Sequence, residues 1–215
     1  AMGVSTTNGE SVSMQTFEQL LYGTGETLYN EKTKKWNVNS KGILATLNFI
    51  NQIYNKDKTG PSLSVVMSSN YGSTIFQDRI PKNQVGMAMD GIWNTGNWSK
   101  DGAAPIANMT KVLAFNLMPT EKGQKPGYVT MAGGWSWALP KNSKNKKAAW
   151  TVMKAMNTKQ LAVTRALQEG TLTVRDDAAK DPEYLKKPFI KEATQALQNA
   201  HFRPKNDLYP KVSIA

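Results

Sequence analysis

Two short stretches that combine glycine with tryptophan, VGMAMDGIW at residues 85–93 and GGWSWAL at residues 133–139, decide the fold class of this sequence. Apolar residues alternate with small or polar residues in the first and, from Trp135 onward, in the second, which is the period-two pattern of a β-strand. Two further apolar runs, at residues 112–118 and 128–131, predict two more strands. Segments with a helical pattern alternate with these strands, so the sequence predicts an α/β architecture.

The helical pattern places apolar residues three and four positions apart, on one face of each predicted helix. The clearest of these segments begins after Ser40, which can cap it, and ends at Gly60-Pro61. The other predicted helices cover residues 14–22, 144–156, 161–168 and 182–197, the last with a break at Pro188. Gly170 is expected to end the third of these, and His201 is expected to cap the last helix C-terminus.

The composition of the 215-residue chain excludes several classes of protein. Apolar residues make up 40% and charged residues 20%, which is typical of a globular chain with a packed core. No apolar run approaches the roughly 18 residues of a membrane-spanning helix, so none is predicted. The chain has no cysteine and one histidine. Disulfides, cysteine nucleophiles and thiolate metal sites are therefore excluded, and we expect no metal site.

The net charge of +11 could indicate attraction to nucleic acid, to an anionic membrane or to a cell-wall polymer. The lysines are dispersed in short polar turns, however, and only four arginines occur. This distribution favours a solvated, lysine-rich surface. The sequence also contains no Gly-x-Ser-x-Gly motif, phosphate-binding glycine loop or dinucleotide-binding pattern. We therefore expect neither catalysis nor a cofactor.

Four tryptophans in two tight clusters are the candidate binding residues: Trp93, Trp98, Trp135 and Trp137. Their neighbours are glycine and small polar residues, which leave the backbone accessible and supply hydrogen-bonding groups. Such a surface suits a sugar, whose C–H faces stack on an indole ring while its hydroxyls form hydrogen bonds. The other two tryptophans, Trp36 and Trp150, are assigned to core packing.

Two other interpretations of the clustered tryptophans remain open from the residues themselves. The rings could be core residues at strand ends, or they could stack nucleobases in a single-strand nucleic-acid site. Against the second, the clusters contain no lysine or arginine between Asp90 and Ser99 or between Gly133 and Leu139. A secreted polysaccharide-acting enzyme is a further alternative, and it would need two carboxylates flanking the cleft.

Three motifs carry a family resemblance: residues 85–93, residues 133–150, and Arg203-Pro204 with Tyr209-Pro210. In order and spacing they resemble the family 1 extracellular solute-binding proteins of ABC sugar importers, the maltose-binding-protein group. The resemblance implies a periplasmic-binding-protein type II (Venus flytrap) fold, in which two α/β lobes close on a sugar. It implies a binding protein without enzymatic activity.

The resemblance also implies that the chain is a fragment made up mostly of lobe 2. Residues 1–3 look like a tag remnant, 4–131 like a lobe 2 segment, 132–175 like a segment of lobe 1, and 176–215 like a return to lobe 2. The missing lobe 1 residues would leave the helices near 143–156 and 161–168 without their usual partners, so these should expose apolar side chains. The chain shows no export signal of its own, so the parent would reach the periplasm or the extracellular face of the membrane by a signal that lies upstream.

The same resemblance implies which residues of this chain bind the ligand. Trp93 resembles the stacking platform of lobe 2 and Trp135 a second platform, while Gly133 and Gly134 resemble backbone that approaches the sugar. Arg203 resembles a donor to sugar hydroxyls. Asp90, Tyr71, Trp98 and Trp137 are further candidate ligand-binding residues, at positions where the family's pattern varies. The implied partners are a carbohydrate ligand and ABC permease membrane subunits, with no nucleic acid, and we expect the chain by itself to bind sugar weakly.

Overall fold

The computed structural model describes residues 2–3 and 13–214, which form two compact units. Unit 1 comprises the described residues of Ala1–Gly91, Ala114–Ala132 and Lys191–Ala215. Unit 2 comprises Ile92–Leu113 and Gly133–Ile190. The units divide the chain at other points than the three segments expected from the sequence, and the assignment of those segments to two lobes stays a prediction.

Short strands alternate with helices along the described chain. The strands are β1 Met2–Gly3, β2 Tyr29–Asn30, β3 Lys35–Trp36, β4 Met87–Ala88, β5 Met118–Pro119, β6 Tyr128–Met131 and β7 Ala200–His201. The α-helices are α1 Gln19–Gly23, α2 Lys41–Asn51, α3 Leu63–Val66, α4 Asn94–Asn97, α5 Met109–Val112, α6 Lys146–Met156, α7 Lys159–Gln168, α8 Asp176–Ala179, α9 Pro182–Leu185, α10 Ile190–Leu197 and α11 Tyr209–Val212. Wider π-helical turns occupy Ser13–Glu18, Gln52–Lys56 and Ser73–Arg79. No helix in the described ranges combines the length and apolar character that crossing a bilayer requires.

Unit 1 is organised around α1 and a small three-stranded sheet. In the sheet, β6 lies between β5, which is antiparallel to it, and β7, which is parallel to it. Leu21 of α1 packs with Leu28 and Tyr209, and Trp36 lies against this cluster, as expected for a packing residue. The first two described residues, Met2 and Gly3, pair in parallel with β4.

Several local predictions in unit 1 are confirmed, and one is wrong. Ser40 caps α2, because its Oγ accepts a hydrogen bond from the Ile43 N–H at 3.2 Å. The predicted helix at 14–22 is present as Ser13–Glu18 and α1. His201, however, does not cap a helix. It belongs to β7 and its ring stacks on Tyr22 with the centroids 4.1 Å apart, and burial lowers its pKa.

Unit 2 is mainly helical, and its core lies between α7, α8 and α9. Val163, Ala166, Ala178 and Tyr184 form this core with Ile190. Asp181 caps α9 through a hydrogen bond from the Glu183 N–H, with Pro182 in the first turn, as the sequence indicates.

The helix α6 contributes no buried side chain to the described structure. Trp150 is 54% exposed, so its assignment to core packing is wrong. Large apolar side chains of α6 and α7 are exposed together with it: Val152, Met156, Leu161 and Leu167. The expectation that these two helices expose apolar surface is therefore confirmed.

Three of the four predicted strands are shorter than expected or absent. At 85–93 only β4 is paired, and in the run at 112–118 only Met118 belongs to a strand, because α5 includes Val112. Residues 135–139 form no strand in the described chain, whereas β6 matches the prediction for 128–131. Alternation alone does not produce a ladder, because the backbone N–H and C=O groups need a partner strand at the right distance.

Candidate functional site

The turn that carries Trp93 is the first part of the candidate site, and it lies in unit 2. Trp93 precedes α4, and its carbonyl oxygen accepts a hydrogen bond of 2.9 Å from the Gly96 N–H. Asn94, Thr95 and Gly96 are buried, while the Trp93 side chain remains 39% exposed. The turn therefore anchors its backbone in unit 2 and leaves part of the indole accessible.

Gly170 supports this turn from the loop that follows α7. Its φ is +71°, and a Cβ at this position would lie 2.5 Å from the carbonyl oxygen of Trp93 and 2.6 Å from the nitrogen of Gly96. Only glycine combines that left-handed backbone with so close an approach. Gly170 thus ends α7, as predicted, and also packs its backbone against the Trp93 turn.

Lys187 contacts the same turn. Its Nζ donates a hydrogen bond of 3.3 Å to Oγ1 of Thr95, and burial lowers the pKa of Lys187 to about 8. Oδ1 of Asn94 accepts a hydrogen bond of 3.0 Å from the side-chain amide of Asn97, whereas Nδ2 of Asn94 has no hydrogen-bond partner among the described residues. The turn is therefore bounded by polar groups with little access to water.

The stretch GGWSW is the second part of the candidate site. Residues 133–138 are all exposed, and the Trp135 side chain is 95% exposed. No described atom lies within 4 Å of the position that a Cβ would take on Gly134. The small size of Gly134 is thus not required by packing within the chain, and its backbone is open to an approaching ligand.

Trp137 and Trp98 are less exposed than Trp135. Trp137 is 51% exposed, and the guanidinium carbon of Arg165 lies 5.9 Å from its ring centroid. Trp98 follows α4 and is half-buried, and its backbone N–H donates a hydrogen bond to the Asn94 carbonyl at 3.1 Å. Trp98 is therefore held in the same turn as Trp93.

The remaining predicted site residues belong to unit 1. Tyr71 is 7% exposed and meets Phe76 edge-on, with the ring centroids 6.3 Å apart. Its buried hydroxyl has no hydrogen-bond partner among the described residues, and burial, with smaller contributions from Tyr54 and Asp90, raises its pKa. The structure thus exposes neither the ring nor the hydroxyl of Tyr71, and a ligand contact for this residue stays a prediction.

Asp90 and Arg203 are both half-buried in unit 1. Oδ1 of Asp90 accepts a hydrogen bond of 2.8 Å from the Gly91 N–H, and Arg203 follows β7 in an irregular segment. The structure therefore brings four tryptophans and two glycines into unit 2: Trp93, Trp98, Trp135, Trp137, Gly133 and Gly134.

Sequence reasoning missed Lys187 and the contact of Gly170 with the Trp93 turn. Lys186 and Lys187 are adjacent and identical in type, and the sequence offers no signal that one is exposed and the other buried. The contact of Gly170 joins positions more than 70 residues apart, which no local pattern reports. For metal binding, the described residues contain no group of three or more ligating side chains.

Structural comparison defines the class of protein. T. maritima MalE3 with bound maltose is 22% identical and has a TM-score of 0.80, and it is matched over 99% of this chain and 52% of its own. The GacH receptor of Streptomyces glaucescens, in a study including acarbose complexes, is 19% identical and has a TM-score of 0.77. It is matched over 100% of this chain and 52% of its own. Bdellovibrio bacteriovorus MalE with maltotriose is 16% identical with a TM-score of 0.73, over 97% and 52%.

These likenesses show an α/β fold of the periplasmic-binding-protein type II class, and the chain spans about half the length of the solved structures that it matches. Residues 3–162 match the model of the bacterial extracellular solute-binding protein family. The chain belongs to this family.

Proposed function

We propose that this chain is most of lobe 2, together with a piece of lobe 1, of a sugar-binding protein that serves an ABC importer. The ligand is a sugar or oligosaccharide, and Trp93 and Trp135 are its stacking platforms. The observation that carries the proposal is the exposure of these two rings, at 39% and 95%, beside backbone that is open at Gly134. An exposed indole is costly to leave in water, and a sugar covers it while its hydroxyls stay hydrogen-bonded.

Two structural features support a binding protein over the alternative of an enzyme. The described residues provide no group of three or more acidic and histidine side chains that could hold a metal ion, and the carboxylates of Glu169, Asp177 and Asp181 form hydrogen bonds outside both tryptophan clusters. Glycoside hydrolysis requires two carboxylates across the scissile bond. Instead, Glu169, which directly follows α7, pairs with Arg165, and Asp177 of α8 pairs with Arg175.

The wider role follows from family membership. A solute-binding protein delivers its ligand to membrane permease subunits by closing two lobes around it, so we propose ABC permease subunits as partners and the periplasm or extracellular face as the location. The solved structures matched here include complexes with maltose, maltotriose and acarbose. Maltooligosaccharides are therefore the first ligands to test.

The test uses the whole chain and a method that detects millimolar binding, because a chain that is mostly lobe 2 keeps only part of the sugar site. We expect maltotriose to shift the indole N–H resonances of Trp93 and Trp135 in a 1H–15N NMR titration. Trp135→Ala should remove the response, whereas Trp150→Ala is the matched control, since Trp150 is also an exposed tryptophan but lies on α6. Identical titrations for Trp135→Ala and the wild type would contradict the proposed platform.

A parallel titration with a single-stranded oligonucleotide separates the sugar from the nucleic-acid interpretation. Nucleic-acid binding driven by the +11 charge should weaken steeply with salt. Sugar binding should not change with salt, because the ligand is neutral. Shifts with the oligonucleotide at Trp93 and Trp135, together with none for any sugar tested, would favour the nucleic-acid function.

A further inference from the structure

The buried ammonium of Lys187 is a feature that the proposed ligand platforms do not require. The side chain is 5% exposed, although a lysine is rarely buried without an ion-pair partner. No carboxylate among the described residues contributes to its pKa, which burial alone lowers. Burial of a charge without compensation costs free energy, so the hydrogen bond that the Lys187 ammonium makes within the described chain indicates its role.

The acceptor of that hydrogen bond is the Thr95 hydroxyl, which is itself hydrogen-bonded to the backbone just before Trp93. Oγ1 of Thr95 donates to the Ile92 carbonyl oxygen at 2.8 Å. The single proton of the Thr95 hydroxyl is used in that bond. Oγ1 therefore accepts the hydrogen bond from Lys187 Nζ through a lone pair, at 3.3 Å. The ammonium is thus linked through one hydroxyl group to the carbonyl of the residue that precedes Trp93.

We propose that Lys187 is a positioning residue for the Trp93 turn: its ammonium holds Thr95 in place and thereby fixes the orientation of the Trp93 indole. The inference rests on the proposed function in one respect: a fixed indole orientation matters because Trp93 is proposed as a stacking platform for the sugar. Gly170 packs against both ends of the same turn, at the Trp93 carbonyl and the Gly96 nitrogen, while Lys187 contacts Thr95 between them.

The other charged groups on the surrounding elements do not take part in this linkage. α4 itself contains no ionisable side chain. On α9 the Glu183 carboxylate pairs with Lys186 at 2.6 Å, the capping Asp181 pairs with Lys159 of α7 at 3.0 Å, and Glu169, just after α7, pairs with Arg165 at 2.8 Å. On α8 Asp177 pairs with Arg175, and Asp176 is exposed. A change in the protonation of Lys187 is therefore the charge change that acts directly on the Thr95 hydroxyl.

The experiment observes the tryptophans without any ligand. The chain has six tryptophans, and labelling with 5-fluorotryptophan gives one 19F resonance for each, assigned by single Trp→Phe variants. Lys187→Met keeps the aliphatic stem and removes the ammonium, and Lys186→Met is the matched control at an exposed neighbour. We expect Lys187→Met to shift the Trp93 and Trp98 resonances, to leave Trp36 and Trp150 in place, and Lys186→Met to shift none of the four.

A pH titration of the wild-type chain supplies a readout that needs no variant. The Trp93 resonance should move with a midpoint near 8, where Lys187 loses its proton, and Lys187→Met should abolish this movement. Thr95→Val, which removes the acceptor, should abolish it as well, whereas Thr95→Ser should retain it. A purely structural lysine would not couple an indole resonance to pH in this way.

The outcomes separate this inference from the proposed function. A Trp93 resonance that does not titrate in the wild type overturns the positioning role, even where maltotriose binds. A titrating Trp93 resonance combined with no response to any sugar supports the positioning role and counts against the platform. Where Lys187→Met fails to fold, the wild-type titration and the Thr95 pair decide.

Discussion

The guanidinium carbon of Arg165 lies 5.9 Å from the centroid of the Trp137 ring, and the Nε of the same group donates to both carboxylate oxygens of Glu169, at 2.9 and 2.8 Å. Glu169 lies one helical turn after Arg165, so the ion pair holds the guanidinium in a fixed place beside the ring. One side of Trp137 is thus occupied by a cation, while half of the side chain remains exposed.

The first prediction is a measurable coupling between Arg165 and Trp137. A double-mutant cycle with Arg165→Met and Trp137→Leu should give an interaction free energy of about 0.5–1 kcal/mol in urea unfolding, the range for a partly exposed cation–π contact. The same cycle with Trp150→Leu in place of Trp137→Leu should give no coupling, because no ring contact joins Arg165 and Trp150 in the described structure. Equal coupling in both cycles would show that the contact is not specific.

The second prediction compares two glycines of unit 2. Gly170→Ala should lower the free energy of unfolding by about 2 kcal/mol or more, because a Cβ would meet the Trp93 carbonyl at 2.5 Å in a backbone with φ of +71°. Gly134→Ala should leave stability within about 0.5 kcal/mol of the wild type, since its Cβ meets no described atom within 4 Å. Urea unfolding of both variants checks the difference.

The same pair of variants separates a structural glycine from a ligand-facing one. Gly134→Ala should weaken maltotriose binding while the chain stays folded, since the added methyl group occupies space that the proposed function gives to the sugar. An unchanged titration for Gly134→Ala would remove the close backbone approach from the proposed site. Destabilisation as large as that of Gly170→Ala would instead show that the stretch GGWSW is packed.

The third prediction concerns a buried hydrogen bond in unit 1. The Tyr209 hydroxyl donates to Oε1 of Glu18 at 2.6 Å, and Glu18 is fully buried. Tyr209→Phe should therefore cost about 1–3 kcal/mol of unfolding free energy, because it removes the donor from a buried carboxyl oxygen. Tyr128→Phe is the control: that hydroxyl donates to the Gln195 carbonyl at 3.3 Å in an exposed setting, so the loss should be clearly smaller. Similar losses in both variants would contradict a larger contribution from the buried Tyr209–Glu18 hydrogen bond.

The helices could be predicted because their signals are local. Ser40 and Asp181 cap the helices that the sequence assigned to them, and Gly170 ends α7. The exposure of Trp93 and Trp135 could also be anticipated, because their neighbours are glycine and small polar residues that cannot cover an indole. In each case the deciding residues lie within a few positions of one another.

Strands and long-range contacts could not be predicted in the same way. Residues 135–139 alternate as a strand does, but in the described structure they find no partner strand. His201 follows a helix in sequence, yet its backbone pairs with β6 and its ring with Tyr22. Trp150 sits in an amphipathic pattern whose apolar face meets no core within the described residues. These outcomes depend on distant segments, about which a local pattern carries no information.

The fourth prediction is a pH dependence of stability that comes from Lys187. Burial lowers its pKa from 10.5 to about 8, so between these two values the unfolded chain holds a proton that the folded chain has released. Stability therefore rises with pH across this window. From pH 7.5 to 9.5 we expect a rise of about 2 kcal/mol in the free energy of unfolding.

The window ends below the titration of the buried tyrosines. Burial, with a smaller contribution from Glu18, raises the pKa of Tyr22 to about 12, so its effect on stability begins only above the ordinary tyrosine pKa of 10 and has the opposite sign. Urea unfolding at a series of pH values within the window measures the rise. Lys187→Met should remove the slope and Lys186→Met should keep it, because Lys186 is exposed and paired with Glu183. A flat wild-type profile, or a slope that persists in Lys187→Met, would show that Lys187 is not the group that titrates.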